Sequence, residues 1–290
     1  MVLLTMVLTK YALLHSFIQH SYVSNLEFGI LIASVLSITA GGYIVNDIFD
    51  LETDKINKPD KIFIASSISE KNAWRSYFLL TSTGLFLGVY LSIIKTLPFF
   101  SFIFVFSSLG LFFYSKFFKK KVLLGNLLIS LFIGLTIYIV YLFCFKYHEF
   151  TLKEQLNSML FLQVWLAVIS YTLFAFLITF IREIIKDIED IHGDLKIQAK
   201  TLAILVGRKR AAKFAFFFSC ILLFFLLMML QSLKNEVLFL SYGIVFILIP
   251  LIYFMHQLWS SESKKDFSKL SKILKIIMLF GILSMLLFKV

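Results

Sequence analysis

The sequence predicts an all-α membrane protein, a pseudo-symmetric bundle of nine transmembrane helices with its N-terminus in the cytoplasm. Three observations carry that expectation. Sixty per cent of the 290 residues are apolar and only 16% are charged, against about 45–50% and about 25% in soluble domains. The charges come in bursts between long runs of Phe, Leu and Ile, and the mean hydropathy is +0.91, so the solvent must be lipid. The basic residues, finally, gather in alternate loops, as the positive-inside rule requires of a multi-pass chain.

About 20 apolar residues are needed to cross the hydrocarbon core as a helix. Such runs fall at 1–17, 25–46, 74–94, 97–115, 122–145, 158–181, 211–231, 236–258 and 270–288. Lipid offers no partner to an open backbone, so each run is a helix rather than a strand. The first run is short and lacks the basic segment and cleavage site of a signal peptide. Lys95 and Pro98 divide the third run from the fourth. Loops 47–73, 116–121, 182–213 and 259–275, with Arg75 just beyond the first of them, hold 22 of the 28 Lys and Arg; Lys10, Lys95, Lys146, Lys153, Lys234 and Lys289 are the remainder. That bias places these loops inside and the C-terminus outside. It also accounts for the net charge of +11 without nucleic acid as a partner. No linker or low-complexity stretch breaks the chain, so 1–290 reads as one transmembrane domain. Cys144 and Cys220 lie inside apolar runs with no CxxC spacing and read as small core residues.

Two acidic clusters stand out against this background. The second run ends in Asn46-Asp47-Ile48-Phe49-Asp50-Leu51-Glu52-Thr53-Asp54, and the sixth continues into Lys186-Asp187-Ile188-Glu189-Asp190-Ile191-His192-Gly193-Asp194. Both contain D-x-x-D-x-x-x-D, and together they use six of the chain's eight Asp. Spacings of three and four place each triplet on one helix face. A constant shift of 140 residues relates the two, which suggests internal duplication, with the clusters facing each other across a cytoplasmic-side cavity. Acidic groups near membrane depth face an interior and find a partner. Carboxylates converging in this way call for a divalent cation, and hard oxygen ligands suit Mg²⁺, which takes one or two carboxylates plus substrate phosphates. Acidic residues merely marking the water interface would explain one cluster. Two of matched spacing, flanked by Asn46, Lys61, Arg182 and Lys186, are a poor fit to that reading.

These residues resemble the UbiA-type intramembrane prenyltransferases. Asn46 through Asp54 is similar to that family's first motif, N-D-x-x-D-x-x-x-D. Asp190-Ile191-His192-Gly193-Asp194, followed by Lys200-Thr201-Leu202 and Gly207, is similar to its second. Tyr114-Ser115-Lys116 and Gly125-Asn126 resemble the stretch joining its fourth and fifth helices, and Tyr114, Lys116 and Asn126 are expected to bind substrate. The resemblance implies that Asn46, Asp50 and Asp54 serve one Mg²⁺ and that Asp190 and Asp194 serve a second. Asp47 and Asp187 would lie in or just outside the metal shell. Lys61, after Pro59, stands where the family usually has Arg, and would contact diphosphate as a point charge rather than a fork. Relatives usually carry Arg or Asn before the first helix; this chain has neither.

The implied chemistry is transfer of a prenyl group from a prenyl diphosphate to a lipid-soluble acceptor. Departing diphosphate needs cations where its charge develops, and a dry cavity protects the allylic cation from water. Aromatic faces stabilise such cations, although most of the 35 Phe and 12 Tyr are expected to face lipid or to pack. Arg182 and Lys186, one turn apart, could hold an anionic head group or serve only orientation and diphosphate. The string from Arg182 to Asp190 most resembles the branch that prenylates geranylgeranylglyceryl phosphate; aromatic acceptors, as in quinone or haem biosynthesis, stay open. Lys119, Lys120 and Lys121 form a charge run that reads as a solvated loop over anionic lipid, with Lys119 the one kept as a candidate for diphosphate. None of the five histidines has metal-ligand spacing, and His192 reads as a solvated loop residue. A secondary transporter and a prenyl cyclase or phosphatase are the rival readings. The expected setting is the bacterial or archaeal cell membrane, with a cytoplasmic active site and no obligate protein partner.

Overall fold

The computed structural model describes residues 1–17, 21–57, 63–145, 159–196 and 198–289. It is all-helical apart from an isolated bridge between Ile64 and Ile68. In chain order the helices are α1 Val2–Leu8, extended by a π-helical turn Thr9–Leu13 and a 3₁₀ turn Leu14–Ser16, α2 Asn25–Phe49, α3 Leu51–Asn57, α4 Glu70–Ile94, α5 Ser101–Lys116, α6 Leu124–Cys144, α7 Met159–Glu189, α8 Ile191–Lys196, α9 Leu202–Val206, α10 Arg208–Ser232, α11 Val237–Tyr242, α12 Ile249–Ser260 and α13 Lys264–Leu283. A π-helical turn, Gly243–Leu248, joins α11 to α12. Among the described residues eight helices are long and apolar enough to cross a membrane, and the chain is an integral membrane protein. The ninth expected span is shorter. Val2–Ser16 rises about 22 Å at about 1.5 Å per residue, less than the roughly 30 Å of the hydrocarbon core.

The helices group into two compact units. One comprises Ser24–Ile129 with Asp190–Leu205; the other comprises Met1–Val23, Ser130–Glu189 and Val206–Val290.

The first unit is built on the antiparallel pair α2 and α4, with α5 beside them. Ser24 starts α2 through a capping box with Glu27, and Ser69 caps α4, satisfying backbone donors that lipid could not. Gly84 and Gly88, one turn apart, let the backbones touch: a Cβ at Gly84 would lie 2.8 Å from Ser34 O, and one at Gly88 2.5 Å from the Phe104 ring. This is the small-residue packing that holds membrane helices where no hydrophobic drive exists between them. Ser34 Oγ donates to Gly84 O at 2.6 Å across the same seam. At one end of the pair Lys95 Nζ meets Glu27 Oε2 at 3.1 Å. At the other, Ile48 packs with Ile64 and Ala73, and there α2 gives way to the first aspartate motif.

In the second unit α7 packs against α13 and α10. Its buried face includes Ile178, Ile181, Ile184, Ile185 and Ile188, spaced three and four apart as an interior helix face requires. Cys144 is buried here as expected, but Cys220 is exposed on α10 and is not a core residue; both thiols are free.

Candidate active site

The two aspartate triplets do not each lie on one uninterrupted helix face. α2 ends at Phe49, and Asp50, in the bridge region at φ −92°, ψ −1°, turns the chain into α3. α7 ends at Glu189 and α8 begins at Ile191, with Asp190 between them. The break falls at the same place in both motifs, 140 residues apart, which supports a local repeat. The reason is shared: the carboxylates sit where an apolar span ends, and the chain bends there instead of carrying acid further along a straight helix.

The first unit brings five of the six aspartates into one body: Asp47, Asp50 and Asp54 from the first motif, Asp190 and Asp194 from the second. Within it α3 packs directly on α8, so the tails of the two motifs meet. Asp50 and Asp194 are buried, at 6% and 7% exposure; Asp54 is half-buried and Asp47 exposed. Asn46 Nδ2 donates to Asp50 Oδ2 at 2.7 Å, and Lys119 Nζ donates to the same oxygen. Burial alone would pull the Lys119 pKa down, but Asp50, then Asp194 and Asp54, outweigh it and hold the pKa above its usual value. Lys119 is thus a cation paired with Asp50, in the unit that also holds Asp54, Asp190 and Asp194.

The sequence places Lys119 in a run of three lysines, as the one candidate for diphosphate among them, and the structure separates it from the others. Lys120 and Lys121 are exposed, whereas Lys119 sits in the 3₁₀ turn Phe118–Lys120 and points to Asp50. That turn is pinned from a distance, because Lys200 N donates to Lys120 O at 2.8 Å. Leu123 and Gln198, flanking the junction, both adopt positive φ, 56° and 53°, a conformation non-glycine residues keep only where the surroundings impose it. Gly125 is needed for close approach: a Cβ there would lie 3.0 Å from Lys119 Cα and 3.1 Å from the Tyr114 ring. Tyr114 and buried Asn126 thus belong to this corner. Lys116 does not. Its ammonium lies over the rings of Phe117 and Phe112, at 5.1 and 5.8 Å. Phe49, next to Asp50, packs edge-on against Trp74 at 5.8 Å and Phe112 at 6.0 Å, an aromatic wall beside the acids. Lys61 lies outside the described residues.

The second unit holds Asp187, Arg182 and Lys186. Arg182 Nη1 donates to Glu183 Oε1 at 3.0 Å, and Lys186 Nζ to Glu183 Oε2 at 3.0 Å. Glu183, 7% exposed, was not singled out from sequence, although its i,i+3 spacing to Lys186 was there to be seen. Arg182 keeps a buried Nε–H with no acceptor among the described residues. His192 is exposed, as expected, but lies on α8 and not in a loop.

Mg²⁺ fits the donor set of the first unit. The available atoms are hard oxygens, and an ammonium already stands among them where positive charge is favoured. Among the described residues no three His, Cys, Asp or Glu side chains form a preformed cage, and Mg²⁺ needs none, because it takes one or two carboxylates and fills its octahedron with water and phosphate. The hydroxyls of Thr53 and Thr201 are buried in the same unit without hydrogen-bond partners among the described residues, capacity that a hydrated ion or a phosphate could use.

The fold and site define a multi-pass helical membrane enzyme that gathers aspartates about a cation at the end of its spans. The chain belongs to the UbiA prenyltransferase family, whose model matches residues 3–280 and so runs through both units. A digeranylgeranylglyceryl phosphate synthase from Saccharolobus solfataricus is 32% identical over 263 residues, 89% of this chain and 84% of that protein. A solved structure of a digeranylgeranylglyceryl phosphate synthase aligns with a TM-score of 0.64 at 26% identity, covering 100% of this chain and 98% of that one. A UbiA homologue from Archaeoglobus fulgidus, solved with DMAPP and Mg²⁺, shares the fold with a TM-score of 0.60 at 15% identity, over 98% of this chain and 96% of its own.

Proposed function

We propose that this enzyme transfers a prenyl group from a prenyl diphosphate to geranylgeranylglyceryl phosphate or a similar glycerophosphate lipid, in a Mg²⁺-dependent reaction at the cytoplasmic side of a bacterial or archaeal cell membrane. The observation that carries this reading is the convergence of both motifs in one unit, where α3 packs on α8 and Lys119 is paired with buried Asp50. Asn46, Asp50 and Asp54 would hold one ion and Asp190 with Asp194 a second, while Asp47 and Asp187 act from just outside. When bound, Mg²⁺ would neutralise the charge that develops on the departing diphosphate. Lys119 would add a fixed positive charge on the same group, and Asn46 would orient Asp50 through their hydrogen bond. Phe49, Trp74 and Phe112 would keep water from the allylic carbon. Arg182 and Lys186 support an anionic acceptor: they already hold one carboxylate, Glu183, and Arg182 retains a donor for another. The name borne by the Saccharolobus relative points to the same acceptor, and the charge bias of the loops supports the cytoplasmic side.

The test is to incubate purified protein with geranylgeranyl diphosphate, with and without Mg²⁺, against a panel of acceptors, and to read the lipid product by mass spectrometry. Metal-dependent product with the glyceryl phosphate acceptor is expected. Product only with an aromatic acceptor would move the assignment to that branch. Pyrophosphate release without any acceptor would favour cyclisation or hydrolysis.

A further inference from the structure

The cation built into the acidic corner sits on an atom that a metal ion would need. Asp50 Oδ2 accepts hydrogen bonds from both Asn46 Nδ2 and Lys119 Nζ, so the carboxylate oxygen is already taken. The main chain under Lys119 is fixed by the bond from Lys200 N to Lys120 O and by the close approach of Gly125. The four-carbon side chain is the part free to change partner. An ammonium and a divalent cation a few ångströms apart repel, whereas an incoming diphosphate offers the ammonium an anion of higher charge than a single carboxylate.

We propose that Lys119 is an internal counter-ion that occupies the first aspartate motif until substrate arrives, and that the donor diphosphate, by drawing the ammonium off Asp50, opens that carboxylate to metal. Metal and diphosphate then bind cooperatively, and each binds weakly alone. The coupling needs no movement of a helix, because one side chain is the element that both ligands bias. The proposal rests on the prenyl-transfer reading for the identity of the diphosphate, but the side-chain exchange itself can be measured without turnover.

The experiment measures Mn²⁺ binding to purified wild type, Lys119→Met and Lys119→Arg by electron paramagnetic resonance, at fixed free Mn²⁺, with and without inorganic pyrophosphate. In the wild type, pyrophosphate should tighten Mn²⁺ binding by about 5–150-fold, the usual range of coupling between two sites. Lys119→Met should bind Mn²⁺ alone more tightly than wild type by a factor in that same range and lose most of the pyrophosphate effect. Lys119→Arg, which keeps the charge, should bind Mn²⁺ alone as weakly as wild type. Lys119→Met binding Mn²⁺ no better than wild type overturns the proposal. Should that variant not fold, the wild type decides, because equal Mn²⁺ affinity with and without pyrophosphate overturns it too. Turnover of the wild type assayed in parallel separates the two readings: a gain of Mn²⁺ affinity in Lys119→Met, with no prenyl donor turned over by the wild type, supports the counter-ion and rejects prenyl transfer.

Discussion

The two aspartate motifs share a spacing and a helix break, yet the structure treats them differently. All three acids of the first motif lie in one unit, with Asn46 and Lys119 on Asp50. The second motif is divided: Asp190 and Asp194 join the first motif, while Asp187 stays with α7 beside the Arg182–Glu183–Lys186 group. Spacing sets where a carboxylate can point, but neighbouring cations decide what it does. The first motif sets three aspartates against one paired ammonium, Lys119 on Asp50. The stem of the second already carries its own, two cations clasping one buried acid, a trio with one positive charge left over for an anion, while Asp187 and Glu189 follow on the same helix.

That contrast predicts a graded set of effects. Asp50→Ala, Asp190→Ala or Asp194→Ala should cost at least about 10²–10³-fold in kcat, the scale of losing a group that stabilises developing charge, while the protein still inserts and unfolds cooperatively. Retained turnover in any of them would remove that residue from the metal site. Asp47→Ala and Asp187→Ala, acting from outside the ligand set, should each cost less, about 10–100-fold. Equal losses at Asp47 and Asp50 would erase the distinction between the exposed and the buried acid. Glu183→Gln should lower stability by about 1–3 kcal/mol, the range for a lost buried charge-assisted hydrogen bond, read as a fall in the thermal unfolding midpoint in detergent. It should alter the KM for acceptor more than that for donor. Lys116→Ala should be nearly silent, within about 0.5 kcal/mol in stability and without change in donor KM, because its ammonium rests on Phe117 and Phe112.

Much of this was legible in the sequence. The apolar runs locate six of the eight spans to within four residues, whereas α7 continues eight residues past the sixth run and α13 begins six before the ninth; Lys95 with Pro98 does mark the joint between α4 and α5. The first run forms a shorter apolar helix, Val2–Ser16, than the other eight. The helix breaks at Asp50 and Asp190 carry no Pro or Gly at the break itself that would mark them in the sequence. The pairing of Lys119 with Asp50, beyond its candidacy for diphosphate, could not be read from a run of three lysines. It depends on a 3₁₀ turn and on a bond from Lys200, eighty positions along the chain, and a long-range bond leaves no periodicity to find. Gly125 was the nearest local signal, a glycine where Lys119 and Tyr114 crowd the backbone.

The central claim is that carboxylates of both motifs serve one diphosphate, and a double-mutant cycle addresses it most directly. Calorimetric affinities for inorganic pyrophosphate in saturating Mg²⁺ would be compared for wild type, Asp50→Asn, Asp194→Asn and the double variant. Residues sharing one ion–phosphate assembly should couple by about 0.5–3 kcal/mol. Losses that add to within about 0.3 kcal/mol would mean that the two motifs act independently.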